Sequence, residues 1–266
     1  MNTQFRYTAP ADEKPLENLV SDGGYTSIFR TVACVGDSLS SGEFETFDPE
    51  KNERHYYDMF DYSWGQFIAR MAGLTAYNFS RGGMTASEYC DSYAEAKDWW
   101  NPAYKAQAYI IALGVNDLIG ARQPLGEMSD IDPEDPTKNA KTFTGYYARI
   151  IQQYKAIQPD AKFFLVTMPR DGRTGKEALG DAHAARLHEL AEYFPDTYVV
   201  DLRKYAPAHD EEFTKRFYLH GHLTPEGYIL TAELIDSYID YIVRHNPKDF
   251  KQVGFINSGI KHDLIS

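Results

Sequence analysis

Three polar side chains suited to acyl-transfer chemistry lie far apart along this sequence. Ser38 ends the stretch Thr31-Val32-Ala33-Cys34-Val35-Gly36-Asp37-Ser38, a β-branched and apolar run closed by a glycine. Asn116 lies in Gly114-Val115-Asn116-Asp117, directly after the apolar run 108–113. His222 opens His222-Leu223-Thr224-Pro225-Glu226-Gly227-Tyr228, ahead of a stretch with helical apolar spacing. A serine hydroxyl can attack a carbonyl carbon, and a histidine can take its proton and return it to the leaving group. An asparagine amide and closely approaching backbone N–H groups can hold the oxyanion that forms. Ser80-Arg81-Gly82-Gly83 supplies such a glycine backbone, and Ser38 N–H is another donor candidate. Each residue also has a plainer reading. Asp37 or Ser38 caps the next helix, Asp117 orders its own loop, and His220, two positions from His222, points the other way in an extended segment.

The elements that must position these groups follow from periodicity. Short apolar runs predict strands near 31–35, 74–79, 108–113, 163–167 and 198–202. Helical spacing predicts helices over 63–72, 85–99, 142–157, 176–194 and 224–244. Strands alternating with helices imply α/β architecture: a central parallel sheet of about five strands covered on both faces, a three-layer α/β/α sandwich. Residues 1–30 read as an N-terminal arm with at most one short strand. Residues 31–246 read as the domain, and 247–266 as a tail packed on it. The stretch 41–58 reads as an irregular loop beside the site. Residues 120–138 read as an acidic, Pro-rich insertion, and 203–221 as mostly irregular.

Composition bounds the partners. The chain has 266 residues and a formal net charge of −12. With no Lys/Arg cluster to meet phosphates, nucleic acid is not expected. No run reaches membrane-spanning length. The first residues are not followed by a long apolar stretch, which argues against a signal peptide. Two cysteines, Cys34 and Cys90, make no disulfide framework or metal knuckle. A reducing, cytoplasmic setting is the expectation, with no metal and no cofactor. A homo-oligomer is compatible with the sequence, which says little about assembly. Twenty Tyr, fifteen Phe and three Trp hint only weakly at a flat polar ligand such as a sugar.

Taken together, Gly36-Asp37-Ser38-Leu39, the glycine block ending at Gly83, Gly114-Val115-Asn116-Asp117 and the segment from His222 to Tyr228 resemble the four blocks of the SGNH hydrolase superfamily, or GDSL-type esterases and lipases. They occur in that family's order and span residues 36–228. The resemblance implies a flavodoxin-like α/β/α fold and ester hydrolysis through an acyl-enzyme. It implies Ser38 as nucleophile, His222 as general base, and an oxyanion hole of Ser38 N–H, Gly83 N–H and the Asn116 side chain. One departure stands out. The family usually carries an Asp three residues before the histidine, and here that residue is Leu219. Three outcomes stay open: a Ser–His dyad with a backbone carbonyl on the ring, a carboxylate from elsewhere with Asp210, Glu211 and Glu212 nearest upstream, or lost activity. Some carbohydrate esterases of the superfamily resemble the dyad pattern.

The leading expectation is a serine esterase that removes acetyl groups from a sugar or oligosaccharide. An acyl-lipid or thioester hydrolase is the alternative among enzymes. A non-catalytic carbohydrate-binding or scaffold protein is the alternative of another class. Arg81, Arg170, Arg173 and His183 are candidates for contact with a polar or anionic substrate.

Overall fold

In the computed structural model, residues 9–172 and 176–260 are described. Five strands form one parallel sheet: β1 (Thr31–Gly36), β4 (Thr75–Ser80), β5 (Ala108–Ala112), β6 (Lys162–Val166) and β7 (Thr197–Val200), in the order β4-β1-β5-β6-β7. Chain order therefore reverses at β1, with β4 on one side and β5 on the other. This is the flavodoxin-like switch point, outside whose strand ends α/β folds bind their ligands. β1 and β6 are buried along nearly their whole length, as strands covered on both faces must be.

The helices are α1 (Ser38–Ser41), α2 (Trp64–Ala72), α3 (Ala86–Glu88), α4 (Ala94–Ala96), α5 (Phe143–Ile157), α6 (Glu177–Tyr193), α7 (Leu202–Tyr205), α8 (Glu211–Phe217), α9 (Pro225–His245) and α10 (Pro247–Phe250). One core layer joins Val35, Tyr109 and Leu165 of the sheet to Tyr147 and Ile151 of α5 and Leu187 of α6. The opposite layer joins Val32, Ile110 and Phe164 to Trp64 and Ile68 of α2 and Ile235 and Ile239 of α9. Phe250, Val253 and Ile256 are buried in this second layer. The result is the three-layer α/β/α sandwich expected from the alternation of elements.

Four local readings are corrected or refined. The stretch 41–58 is not irregular: it holds an antiparallel hairpin of β2 (Glu43–Asp48) and β3 (Glu53–Asp58), outside the main sheet. Phe44 stands between Glu43 and Glu45 at the start of β2, and Asn52 takes the left-handed turn conformation that Asn tolerates. Residues 203–221 contain α8 and β8 (Tyr218–Leu219), which pairs with β9 (His222–Leu223). Among residues 9–30 there is no strand; the ordered element is a 3-10 turn over Gly24–Ile28. The helix expected over 85–99 is interrupted between α3 and α4 by a π-helical turn, Tyr89–Tyr93.

Candidate active site

Ser38 is the first residue of α1, immediately beyond β1. Asp37 caps that helix, its Oδ1 accepting from Leu39 N at 3.1 Å. The turn requires glycine at 36, because a Cβ there would lie 2.0 Å from Ser40 Oγ and 3.0 Å from the Ala112 carbonyl. Gly83 follows β4 with φ +71, the left-handed conformation glycine adopts without steric cost. Asn116 follows β5 and joins these loops. Its Nδ2 lies 3.2 Å from Met84 O and 3.5 Å from Asp37 Oδ2. Asp117 Oδ1 accepts from Ala86 N at 2.7 Å, binding the same two loops together. The parallel sheet thus gathers residues 38, 83 and 116 at one edge, and hydrogen bonds fix their loops to each other.

His222 arrives from the other side. It lies in β9, two residues before Thr224, whose hydroxyl accepts from Gly227 N and caps α9. Ser38, Asn116 and His222 line one cleft of about 310 Å³. His209, Tyr218, Arg203 and Lys176 line it as well, beside the apolar Leu39, Val115, Ile119 and Met168, so its wall mixes polar and apolar groups.

Both ring nitrogens of His222 face carboxylates of β2. Nδ1 lies 3.3 Å from Glu45 Oε2, and Nε2 lies 2.9 Å from Glu43 Oε1. Burial pushes the imidazole toward neutrality, but the hydrogen bonds and charges of Glu43 and Glu45 outweigh it and raise its pKa. Glu45 behaves the opposite way: burial opposes its charge, yet Gly221 N–H, Arg54 and His222 hold its pKa below the ordinary value. Asp37 is pushed up to about 6 and Asp117 to about 7, in both cases chiefly by burial.

The remaining candidates lie elsewhere or do other work. Asp210 caps α8 through Phe213 N at 2.9 Å, and the carboxylates on His222 are Glu43 and Glu45. Leu219 is 47% exposed and pairs with His222 across the β8–β9 turn. His220 is exposed at that turn with φ 59. The Arg81 guanidinium bonds Tyr93 Oη and stacks 4.0 Å over its ring. Arg170 is exposed, and its carbonyl accepts from His209 N. Arg173 lies outside the described residues. His183 is fully buried, so it cannot touch a substrate as expected; its Nε2 is 3.0 Å from Leu113 O.

Glu43 and Glu45 escape a reading of the sequence because nothing local ties them to His222, 177 positions away from Glu45. The available signal is the alternation Glu43-Phe44-Glu45-Thr46-Phe47, which puts both glutamates on one face of a strand. Among the described residues, no group of three His, Cys, Asp or Glu side chains is arranged to hold a metal ion, and no helix is long and apolar enough to cross a membrane.

No curated protein sequence matches this chain. Several solved structures share its fold. A family two carbohydrate esterase from Clostridium thermocellum in complex with cellohexaose is 17% identical, with a TM-score of 0.54 over 90% of this chain and 67% of that one. A family 3 carbohydrate esterase from Clostridium thermocellum is 17% identical, with a TM-score of 0.53 over 80% of this chain and 96% of that one. A protein from Lactobacillus plantarum is 17% identical, with a TM-score of 0.58 over 80% of this chain and 97% of that one. At such identities the likeness is one of fold. The description of the GDSL-like lipase/acylhydrolase family matches residues 34–230, a segment that contains Ser38, Gly83, Asn116 and His222. The chain therefore belongs to the GDSL-like lipase/acylhydrolase family and is a carboxylic ester hydrolase.

Proposed function

We propose that the protein hydrolyses a carboxylic ester through an acyl-enzyme on Ser38, and that its substrate is an acetylated sugar or oligosaccharide. The observation that carries this reading is the convergence of Ser38, Asn116 and a carboxylate-held His222 on one cleft. His222 Nε2 takes the Ser38 Oγ proton as Oγ attacks the carbonyl carbon. The tetrahedral oxyanion receives hydrogen bonds from Ser38 N–H, Gly83 N–H and Asn116 Nδ2. As the intermediate collapses, the ester C–O bond breaks and the leaving alcohol takes the proton from His222. Water, deprotonated by the same nitrogen, then attacks the acyl-enzyme, and the acid departs as Ser38 regains its proton. Before the first step the ring must be neutral: Nε2 gives up to solvent the proton it shares with Glu43 and turns its lone pair to Ser38 Oγ.

Two features support a sugar ester with a short acyl group. The cleft wall includes Tyr218, His209 and Lys176, groups suited to hydroxyl-rich ligands. An apolar cavity lined by Leu39, Trp64, Val166 and Leu234 adjoins the cleft, but it measures only about 80 Å³. A dry cavity of about 150 Å³ holds benzene, and one about half that size suits a few carbons. The same cavity is the observation that favours the second reading, an acyl-lipid or thioester hydrolase.

Ser38→Ala tests the reading against both a different nucleophile and a non-catalytic sugar binder. Hydrolysis of an aryl acetate and of acetylated sugars is expected to vanish while the melting temperature stays unchanged. Intact hydrolysis in that variant overturns it. In the parent enzyme, a preference for octanoyl over acetyl esters moves the substrate to the acyl-lipid class.

A further inference from the structure

We propose that Glu45, carried by the β2–β3 hairpin, is the positioning residue for His222: it holds Nδ1–H and stabilises the protonated ring, while Glu43 holds Nε2 until Ser38 replaces it. This inference rests on the reading that Ser38 and His222 perform the hydrolysis. Position 219, where the family usually carries the orienting acid, holds a leucine that can neither accept Nδ1–H nor balance its charge.

The geometry makes Glu45 a prepared acceptor. Its side chain is only 3% exposed, and its Oε2 already accepts from Gly221 N at 2.9 Å. Gly221 directly precedes His222, so one carboxylate oxygen grips both the ring and the backbone that carries it. Arg54, diagonally across on β3, pairs with Oε1 and compensates the buried charge. The 3.3 Å contact to Nδ1 is long, as catalytic hydrogen bonds often are before substrate binds.

The hairpin itself is held in register with the base. Residues 43 and 45 share one face of β2, and Phe44 on the other face packs against Tyr62 and Tyr228. Tyr228 also donates to Glu43 O at 2.7 Å. Tyr228 belongs to α9, the helix that starts three residues after His222, so one helix fixes the histidine and the strand that carries its carboxylates. Tyr56 of β3, cross-strand from Glu45, closes the pocket with its ring edge-on to His222 at 5.9 Å. The titratable groups around the ring are thus Glu43 and Glu45 of β2, Tyr56 and the Glu45-paired Arg54 of β3, and Asp37 beyond β1.

The test compares Glu45→Gln, Glu45→Asp, Glu43→Gln and Ser38→Ala on an aryl acetate across pH, with melting temperatures for each. Glu45→Gln is expected to lower kcat by about 100-fold or more with KM within about threefold, since losing the acid behind a catalytic histidine costs up to about 10⁴-fold. Glu45→Asp, which keeps the charge, is expected to recover part of that loss. Glu43→Gln is expected to move the acidic limb of kcat/KM to lower pH. Parental kcat in a folded Glu45→Gln variant overturns the proposal. If Glu45→Gln does not fold, parental kcat in Glu45→Asp overturns it instead. An inactive Ser38→Ala beside a fully active Glu45→Gln removes this inference alone, whereas an active Ser38→Ala removes the underlying reading too.

Discussion

His222 and His183 sit at the same edge of the central sheet, and their surroundings push their pKa values in opposite directions. His222 is partly accessible and has a carboxylate on each ring nitrogen, and its pKa is raised. His183, on α6, has no exposed surface. Burial pushes its pKa down to about 4; the carbonyl of Leu113 opposes that, and the positive charge of Arg203 adds to it. The neutral ring donates from Nε2 to Leu113 O and packs against Phe143, bracing the strand end that leads into the Asn116 loop. The contrast teaches that depth alone does not set a histidine's charge. A ring met by carboxylates has its pKa raised despite partial burial, whereas a ring met by a carbonyl and aromatic surface has it lowered.

The largest test of this contrast is a pair of alanine variants. His222→Ala is expected to reduce kcat/KM by about 10⁴-fold. His183→Ala is expected to cost about 3 kcal/mol of unfolding free energy, because it empties a filled core site. Urea unfolding and ester hydrolysis measured on both variants separate the two roles. A stable but inactive His183→Ala breaks the comparison.

A second test reads the charges directly. Ring proton signals followed by NMR are expected to titrate above 6.5 for His222 and near 4 for His183. The acidic limb of kcat/KM should follow His222. The stability consequence has a definite sign. A raised histidine pKa contributes stability that is fully present below its ordinary value of 6.5 and lost as pH rises through the folded value. The lowered pKa of Glu45 contributes stability present above its ordinary value of 4.5 and lost as pH falls through the folded value. The clamp is therefore strongest between those two values, and Glu45→Gln should remove that maximum.

The smallest effect concerns Asp117, a carboxyl group whose charge burial disfavours as it does that of His183. Its pKa rises from 3.8 to about 7, so its contribution is full below 3.8 and lost as pH rises through 7. Asp117→Asn keeps an acceptor for Ala86 N and cannot ionise. Its melting temperature is expected to exceed the parent's by about 3 °C at pH 8 and to match it at pH 3. An equal difference at both pH values refutes the assignment.

Much of the catalytic edge is legible in the chain because it is built from local signals. The run ending at Gly36 announces a buried strand and a sharp turn. The run 108–113 does the same for Asn116, and the Thr224-Pro225 pair announces the start of α9 beside His222. Parallel topology then brings strand ends together whatever the intervening sequence. The hairpin was harder to read. Its strands are mostly polar or exposed, and it belongs to no sheet whose burial would mark it.

What supports His222 was settled only by the tertiary structure. The sequence determines that Leu219 cannot orient the ring, and by itself it leaves open a backbone carbonyl on the ring, a carboxylate from elsewhere such as Asp210, or lost activity. In the folded protein Asp210 is spent on capping α8, while Glu45 reaches the ring from a strand 177 positions earlier. Periodicity and capping act over a few residues, and so they can be read along the chain. The pairing of a carboxylate with an imidazole depends on distance in space, which only the packing of the hairpin against α9 provides.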